Sequence, residues 1–392
     1  MERKYQIILY GATGFTGKLC AEYFKENYPD LNLAIAGRNE KKLKELKEEL
    51  KLESDIFVAD SDDYEAIKNF VSQTKVVLSA AGPFARYSTK VVEACVECQT
   101  HYTDITGENH WVRGLIDRFH EKAALDGTRI VPSCGYDSIP SDLGVYFSVT
   151  RSMQPVSHVT VYHSAKGGAS GGTTETMFTM GPLPKEMRDP FLLNPKDSVS
   201  DAQKNKSTDD FSVKPIPGTD AFSGMGLMAF ANTRVVRRSA ALFDLNQKSY
   251  GPDFTFKELG SYPSKAAARI TSFVLMSAFL IIATPLRYLV RPFLPKPGDG
   301  PDKEARDNGW FRGLFVANLE DGTEKRFEIF GSGDPGYKST SKMVCESALT
   351  LAFSEDLPFG SEFGGVLTSA VGLGDPLISR LMKAGITFEE LS

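Results

Sequence analysis

The sequence predicts an α/β protein, with a doubly wound parallel sheet of the Rossmann type followed by a second domain of mixed α+β structure. In the first third of the chain, short β-rich runs alternate with helical, charged segments. The first of these runs leads directly into a loop with three evenly spaced glycines. From about Ser141 the alternation gives way to longer strand patterns. The 392 residues also suffice for roughly two or three domains.

Six strands are predicted in the first domain, residues 1–140. They lie at residues 6–10, 32–36, 55–59, 76–79, 100–104 and 129–132. Residues 40–50 between two of them carry leucines at helical spacing among charged side chains. This pattern is typical of a crossover helix that covers one face of a sheet, so the strands are expected to be parallel.

A second domain, residues 141–335, is predicted to bind the substrate. Residues 156–166 alternate apolar and polar side chains, as a half-buried strand does. Residues 181–218 are rich in Pro, Asp, Lys and Ser and show no periodicity, which predicts a long loop. Loops of that length in compact domains are often lids or mobile segments.

The composition excludes several classes of protein. Lys and Arg number 45 against 50 Asp and Glu, so the net charge is -5, and no nucleic-acid partner is expected. Five cysteines are an odd and sparse set, which favours free thiols in a reducing compartment. Cys95 and Cys98 precede His101, but no second ligand pair follows at zinc-site spacing. No metal site is predicted.

A phosphate-binding loop is predicted directly after the first strand. Glycines there permit a tight turn and a close backbone approach, and the N-terminus of the following helix offers free N–H groups to an anion. The strand, loop and helix together favour a dinucleotide over a purely structural glycine-rich turn. The residues predicted to bind the cofactor here are Gly11, Thr13, Gly14, Phe15, Thr16 and Gly17.

The end of the second strand predicts NADP as the cofactor. NAD-binding sites usually place an acidic residue there, whereas this chain has Arg38. A guanidinium matches the geometry of a 2′-phosphate and keeps its charge; the alternative is a solvated surface arginine. Asp60, at the end of the third strand, is expected either to contact the adenine or to cap a helix that begins near Asp62.

Polar clusters follow three further strands, at residues 79–84, 101–108 and 133–144. The carboxyl ends of parallel strands meet at one edge of the sheet, so these clusters are expected to converge beside a nicotinamide ring.

These motifs carry a family resemblance. YGATGFTG, AGR, AAGPF, HYTDITGE, GYDSIPSDLG and the late GDPGYKST together resemble the saccharopine dehydrogenase-like oxidoreductases, particularly the trans-acting enoyl reductases. The resemblance runs from residue 5 to the C-terminus. Two departures are mild: Ser369 stands where the family often has Pro, and Thr176 where a Ser is usual.

The resemblance implies a Rossmann domain, a second domain whose sheet helps form the substrate cleft, and a C-terminal helical segment, residues 336–392, that packs back on the first domain. Family substrates are either amino acids or lipid-linked acyl groups, and several relatives associate with membranes or lipid droplets.

A stretch of 17 uncharged residues lies between Arg269 and Arg287. It is slightly shorter than the roughly 20 residues that span a bilayer. Residues 266–294 therefore have three interpretations: a buried core helix or homodimer contact, an anchor at a membrane or lipid-droplet surface, and a true span. The basic flanks favour the surface anchor. We expect membrane association on the cytoplasmic face, at the endoplasmic reticulum or a lipid droplet in a eukaryote.

The expected function is an NADP-dependent oxidoreductase of lipid metabolism, most concretely an enoyl reductase on an acyl substrate. An oxidoreductase of amino-acid-like substrates and a non-catalytic nucleotide-binding protein at a membrane are the alternatives. Tyr136, with Asp137, is the predicted proton donor, and Tyr102 is the second choice. Packing of Tyr136 and helix capping by Asp137 are the structural alternatives. The predicted wall of the nicotinamide site is Ala81, Gly82, Pro83 and Phe84.

Overall fold

The computed structural model describes residues 3–167, 188–207, 211–282, 284–291 and 300–392. Thr176 and parts of the predicted loop, residues 181–187 and 208–210, lie outside these ranges, as do residues 283 and 292–294 of the predicted anchor.

A seven-stranded parallel sheet forms the first layer, as the sequence predicted. Its strands are β1 (Tyr5–Tyr10), β2 (Leu33–Gly37), β3 (Asp55–Val58), β4 (Thr74–Ser79), β5 (His101–Asp104), β6 (Arg129–Val131) and, much later in the chain, β12 (Gly365–Val366). The order is β12-β6-β5-β4-β1-β2-β3. Since the strand order reverses direction between β1 and β4, their carboxyl ends form the crevice where such sheets bind ligands.

Helices cover both faces of this sheet. They are α1 (Phe15–Asn27), α2 (Glu40–Leu50), α3 (Tyr64–Val71), α4 (Phe84–Tyr87), α5 (Thr89–Glu97), α6 (Asn109–Leu125) and α7 (Ile139–Ser152). Helix α2 shows how the sequence specifies them: the Asn39 side chain accepts the N–H of Lys42 at its start, and Leu43 and Leu46 are buried against the sheet.

The second sheet has six strands of mixed direction. They are β7 (Val156–Lys166), β8 (Phe222–Gly224), β9 (Thr255–Tyr262), β10 (Trp310–Leu319), β11 (Glu324–Ser332) and β13 (Ile386–Leu391), in the order β13-β11-β10-β7-β9-β8. Only β7 and β9 pair in parallel. The associated helices are α8 (Asp201–Lys206), α9 (Ala229–Leu245), α10 (Lys265–Ile282), α11 (Arg287–Val290) and α12 (Lys303–Asp307).

The C-terminal segment connects the two sheets. A π-helical turn, Pro335–Ser339, leads into α13 (Thr340–Phe353), and α14 (Ser369–Gly372) and α15 (Gly374–Lys383) follow. Helix α13 packs on α1, where the buried carboxylate of Glu346 accepts hydrogen bonds from Tyr23 and Tyr28. The segment was expected to be helical, but it also adds β12 to the first sheet and β13 to the second.

Candidate active site

The loop after β1 requires two of its glycines. Gly11 has φ of 79°, and a Cβ there would lie 2.8 Å from the backbone nitrogen of Ala81, in the loop after β4. A Cβ on Gly17 would overlap the carbonyl oxygen of Gly11. The loop therefore lies tightly between β4 and the first turn of α1.

The N-terminus of α1 fits a pyrophosphate. Gly14 precedes the helix in an extended conformation and has no side chain to cap the first N–H groups. Thr13 and Gly14 are exposed, and Thr16 is half-buried. Free backbone donors and the positive end of the helix dipole are what a phosphate anion requires.

Two residues that the sequence did not identify contact this loop. The ring of Tyr337 lies edge-on to the half-buried Phe15, with centroids 4.5 Å apart, and the guanidinium of Arg306 lies 5.5 Å from the centre of the Phe15 ring. The carboxylate of Asp334 accepts the N–H groups of Tyr337 and Lys338 and holds the π-helical turn. The late GDPGYKST motif thus contributes to the cofactor site, although its sequence gave no role for Tyr337.

Arg38 is exposed at the end of β2, on the same side as the phosphate loop. Its guanidinium lies 5.8 Å from the centre of the Tyr87 ring, and that of the exposed Arg86 lies 5.2 Å from the same ring. Two cations therefore meet where a 2′-phosphate of NADP is expected. Sequence reasoning identified Arg38 but not Arg86, which belongs to the short helix α4, far away in the chain.

Asp60 does not cap α3. That helix begins at Tyr64, and its cap is Asp63, which accepts the N–H of Ala66. The carboxylate of Asp60 instead accepts the N–H of Asp62 in a turn and stays exposed. The pKa of the neighbouring Tyr10 is raised to about 12, chiefly by burial; the Asp60 carboxylate contributes to this rise and the Arg38 cation opposes it. Asp60 and Arg38 thus face the same space.

Of the four residues predicted to form the wall of the nicotinamide site in the loop after β4, one is buried. Gly82 and Pro83 are joined by a cis peptide bond. Gly82 is exposed, whereas Ala81 and Pro83 are half-buried. Phe84 is only 5% exposed, and its ring packs 6.0 Å from Trp111 in the core. The surface available to a nicotinamide is therefore Ala81 to Pro83, with Phe84 as support beneath it.

Glu108 holds this loop in place. One carboxylate oxygen accepts the N–H of Phe84 at 2.8 Å and the other accepts the N–H of Ala85 at 3.1 Å. Glu108 is buried and sits at the N-terminus of α4, where its charge stabilises the free donors. The HYTDITGE motif contains this residue, but the sequence does not reveal its partner.

Tyr102 is not available as a proton donor. It is fully buried, and its hydroxyl donates to the carboxylate of Asp104 at 2.8 Å. Asp104 also accepts the N–H groups of Thr106 and Ser133, so it connects the loops after β5 and β6. Burial raises the pKa of Asp104 to about 7 despite these hydrogen bonds. The pair supports the site from within the sheet, which corrects the second choice of donor.

Tyr136 and Asp137 are half-buried directly after β6. The Tyr136 ring lies edge-on to Phe311 at 5.2 Å and to His163 at 6.5 Å, both from the second sheet. Its backbone N–H donates to Thr340, beside the π-helical turn. Burial, then the acidic Glu258 and Asp137, raise the pKa of Tyr136, so it is protonated at neutral pH.

Asp137 does not cap α7, which begins at Ile139 after Ser138. In the described part of the chain its carboxylate has no hydrogen-bond partner, and Gly107 lies beside it. Burial alone raises its pKa to about 6. Burying part of a carboxylate without a hydrogen-bond partner lowers the stability of the fold, and such groups cluster at functional sites.

A buried polar cluster lies behind Tyr136. Ser141 donates to Glu258 at 2.7 Å and lies 2.9 Å from the Nε2 of His163, and Asn232 donates to the other oxygen of Glu258 at 2.9 Å. Burial raises the pKa of Glu258 to about 7 and lowers that of His163 to about 4. His163 is therefore neutral at pH 7. The cluster joins α7, α9 and the second sheet at the cleft, and sequence periodicity gave no sign of it.

Comparison with known proteins identifies the family and the cofactor. A family model described as the saccharopine dehydrogenase NADP binding domain matches residues 7–131, so the cofactor is NADP. A Mycobacterium tuberculosis protein provisionally named as a trans-acting enoyl reductase is 35% identical, over 99% of this chain and 97% of its own. The trans-acting enoyl reductase of Mycobacterium ulcerans is 33% identical, over 98% of this chain and 97% of its own.

Among solved structures, the apo saccharopine dehydrogenase (L-Glu forming) of Saccharomyces cerevisiae has the same fold. It superposes with a TM-score of 0.56 at 14% identity and covers 99% of this chain and 100% of its own. A two-domain α/β architecture therefore extends along the whole chain.

Proposed function

Because this NADP-dependent oxidoreductase belongs to the saccharopine dehydrogenase-like family and is similar along its whole length to trans-acting enoyl reductases, we propose that it reduces the C=C bond of an α,β-unsaturated acyl group. The observation that carries the proposal is the position of Tyr136 and Asp137. They occupy the crevice edge of the same sheet that presents the phosphate loop. Among the described residues no Lys or Arg shifts the pKa of either side chain, and His163 beside Tyr136 is neutral at pH 7.

When bound, NADPH supplies a hydride for the β-carbon of such a substrate. The N-terminus of α1 holds the pyrophosphate, and Arg38 with Arg86 holds the 2′-phosphate. Gly82 and Pro83 limit the space beside the ring, which helps to exclude water there. Glu108 keeps that loop in place through the N–H groups of Phe84 and Ala85.

Tyr136 provides the proton for the α-carbon. Its hydroxyl has a raised pKa and carries its proton at pH 7, and no described side chain holds that proton in a hydrogen bond. Asp137 is ionised above about pH 6 and lies close enough to raise the pKa of Tyr136, so it would order water that returns a proton to that hydroxyl.

Charge favours an acyl over an amino-acid substrate. A substrate with free carboxylates needs cationic partners. The charged groups that shift the pKa of Tyr136 are Glu258 and Asp137, both acidic, and burial alone shifts that of Asp137. Arg38 and Arg86 lie instead at the nucleotide end of the crevice.

The test is NADPH oxidation by the purified protein with a short-chain trans-2-enoyl thioester, beside an imine formed from an amino acid and a 2-oxo acid. Turnover of the thioester alone supports the proposal. Turnover of the imine alone would replace it with a saccharopine dehydrogenase type of reaction.

A further inference from the structure

Helix α10 lies on the protein surface with an apolar outer face. Of its 18 residues only Ala268 is buried, so the structure contradicts the buried-core interpretation. Ile270, Phe273, Val274 and Leu280 are between 55% and 74% exposed. By length and composition the helix could cross a membrane, and no charged residue occurs from Ile270 to Leu286. We call these four side chains the apolar face.

The opposite side of α10 is attached to the second domain. Ser272 accepts the backbone N–H of Met225 at 2.9 Å, and the ring of Phe279 lies 5.8 Å from Phe230 of α9. A helix fixed along one side to its own domain cannot be surrounded by lipid. This geometry fits a helix that lies in the membrane interface rather than one that spans the bilayer.

The same attachment leads to the active-site cleft. Met225 precedes Met228, whose side chain lies beside Gly107, the same glycine that the Asp137 carboxylate approaches. Asn232, in the first turn of α9, belongs to the buried cluster with Glu258. The exposed Leu227 and Phe230 continue the apolar surface between the cleft and α10.

The basic residues at the two ends of α10 indicate what kind of surface covers the apolar face. Lys265 and Arg269 at the start of α10 are exposed, and Arg287 and Arg291 follow it. Basic residues at both ends of an uncharged helix suit anionic lipid headgroups, with apolar side chains between the acyl chains. A second copy of this chain would bring these same cations together, which is unfavourable.

We propose that α10 docks the protein on an anionic lipid surface, with its axis along the surface, and that the cleft thereby takes its acyl substrate from the lipid. The docking is independent of the enzymatic activity. The substrate access rests on the proposed function.

The first test is flotation of the full-length protein with phosphatidylcholine vesicles, with and without phosphatidylserine. The wild type is expected to float with the anionic vesicles and to be released by salt. Phe273→Asp combined with Leu280→Asp should reduce the bound fraction by about tenfold or more, because two apolar side chains are lost from the lipid. Leu125→Asp is the matched control, since Leu125 is equally apolar, 88% exposed and outside α10.

Equal flotation of the wild type and the double variant would overturn the proposal. So would a wild type that fails to float and forms a dimer by light scattering, which the double variant converts to monomers; this would assign the apolar face to a second copy. Resistance to carbonate extraction would instead assign it to a span. Circular dichroism of each variant checks that the fold is intact.

The second test separates access from chemistry. The double variant should keep the wild-type rate on a soluble short-chain enoyl thioester and lose about tenfold or more on a long-chain enoyl lipid in vesicles. Equal loss on both substrates would refute the access route. If neither substrate reacts with the wild type, the proposed function fails, and flotation still decides the docking.

Discussion

Replacement of Arg38 by Ala should weaken NADPH binding selectively. Arg38 is exposed, and within the described residues its guanidinium packs on the Tyr87 ring alone, at 5.8 Å, so the fold loses no more than about 1 kcal/mol. A charge-assisted hydrogen bond to the 2′-phosphate contributes about 1.5 to 3 kcal/mol. The dissociation constant for NADPH should therefore rise by about tenfold to 150-fold, whereas that for NADH, which lacks this phosphate, should barely change.

The assay is a fluorescence titration of both cofactors against the wild type, Arg38→Ala and Lys41→Ala. Lys41 is the charge-matched control, because it lies in the first turn of α2, three residues after Arg38, and its side chain is 87% exposed. The effect on NADPH should also shrink as salt increases. Equal affinity of the wild type for the two cofactors, or an equal loss for both in Arg38→Ala, would refute this assignment of Arg38.

Three further predictions concern the site. Tyr136→Phe should lower turnover by about 100-fold or more with unchanged NADPH affinity, and an unchanged rate would remove Tyr136 as the donor. Asp137→Asn should melt at a higher temperature than the wild type at pH 8: the pKa of Asp137 is raised to about 6, so the wild type loses stability as pH rises through that value. The gain should disappear below about pH 4, and a pH-independent difference would contradict this. Gly17→Ala should abolish NADPH binding, because its Cβ would overlap the Gly11 carbonyl, whereas Gly114→Ala, at an open position of α6, should not.

Local patterns in the sequence predicted the first domain well. Glycine spacing, helical leucines and short apolar runs are all determined within about 15 residues, and the parallel sheet and the family are confirmed. The two C-terminal strands were missed, since β12 has only two residues and β13 contains two consecutive glutamates, Glu389 and Glu390. Their pairing is set by tertiary contacts rather than by propensity.

The site was predicted only in part, for a similar reason. Motifs adjacent to strand ends indicated Tyr136 and Asp137, because position at a sheet edge follows from topology. Glu108, Tyr337 and Glu258 act on partners far away in the chain, and a single sequence contains no signal for such pairs. Tyr102 was wrongly predicted to reach the cleft, whereas its side chain is buried within the sheet. A single sequence does not distinguish a buried side chain within a strand from an exposed one at the strand's end.

The most direct test of the enoyl reductase assignment is the fate of the transferred hydrogen. With NADPH deuterated at the transferring position and a trans-2-enoyl thioester, mass spectrometry of the saturated product should find deuterium on the β-carbon and a solvent hydrogen on the α-carbon. Deuterium at a carbonyl or imine carbon, or no saturated thioester in any amount, would contradict the assignment.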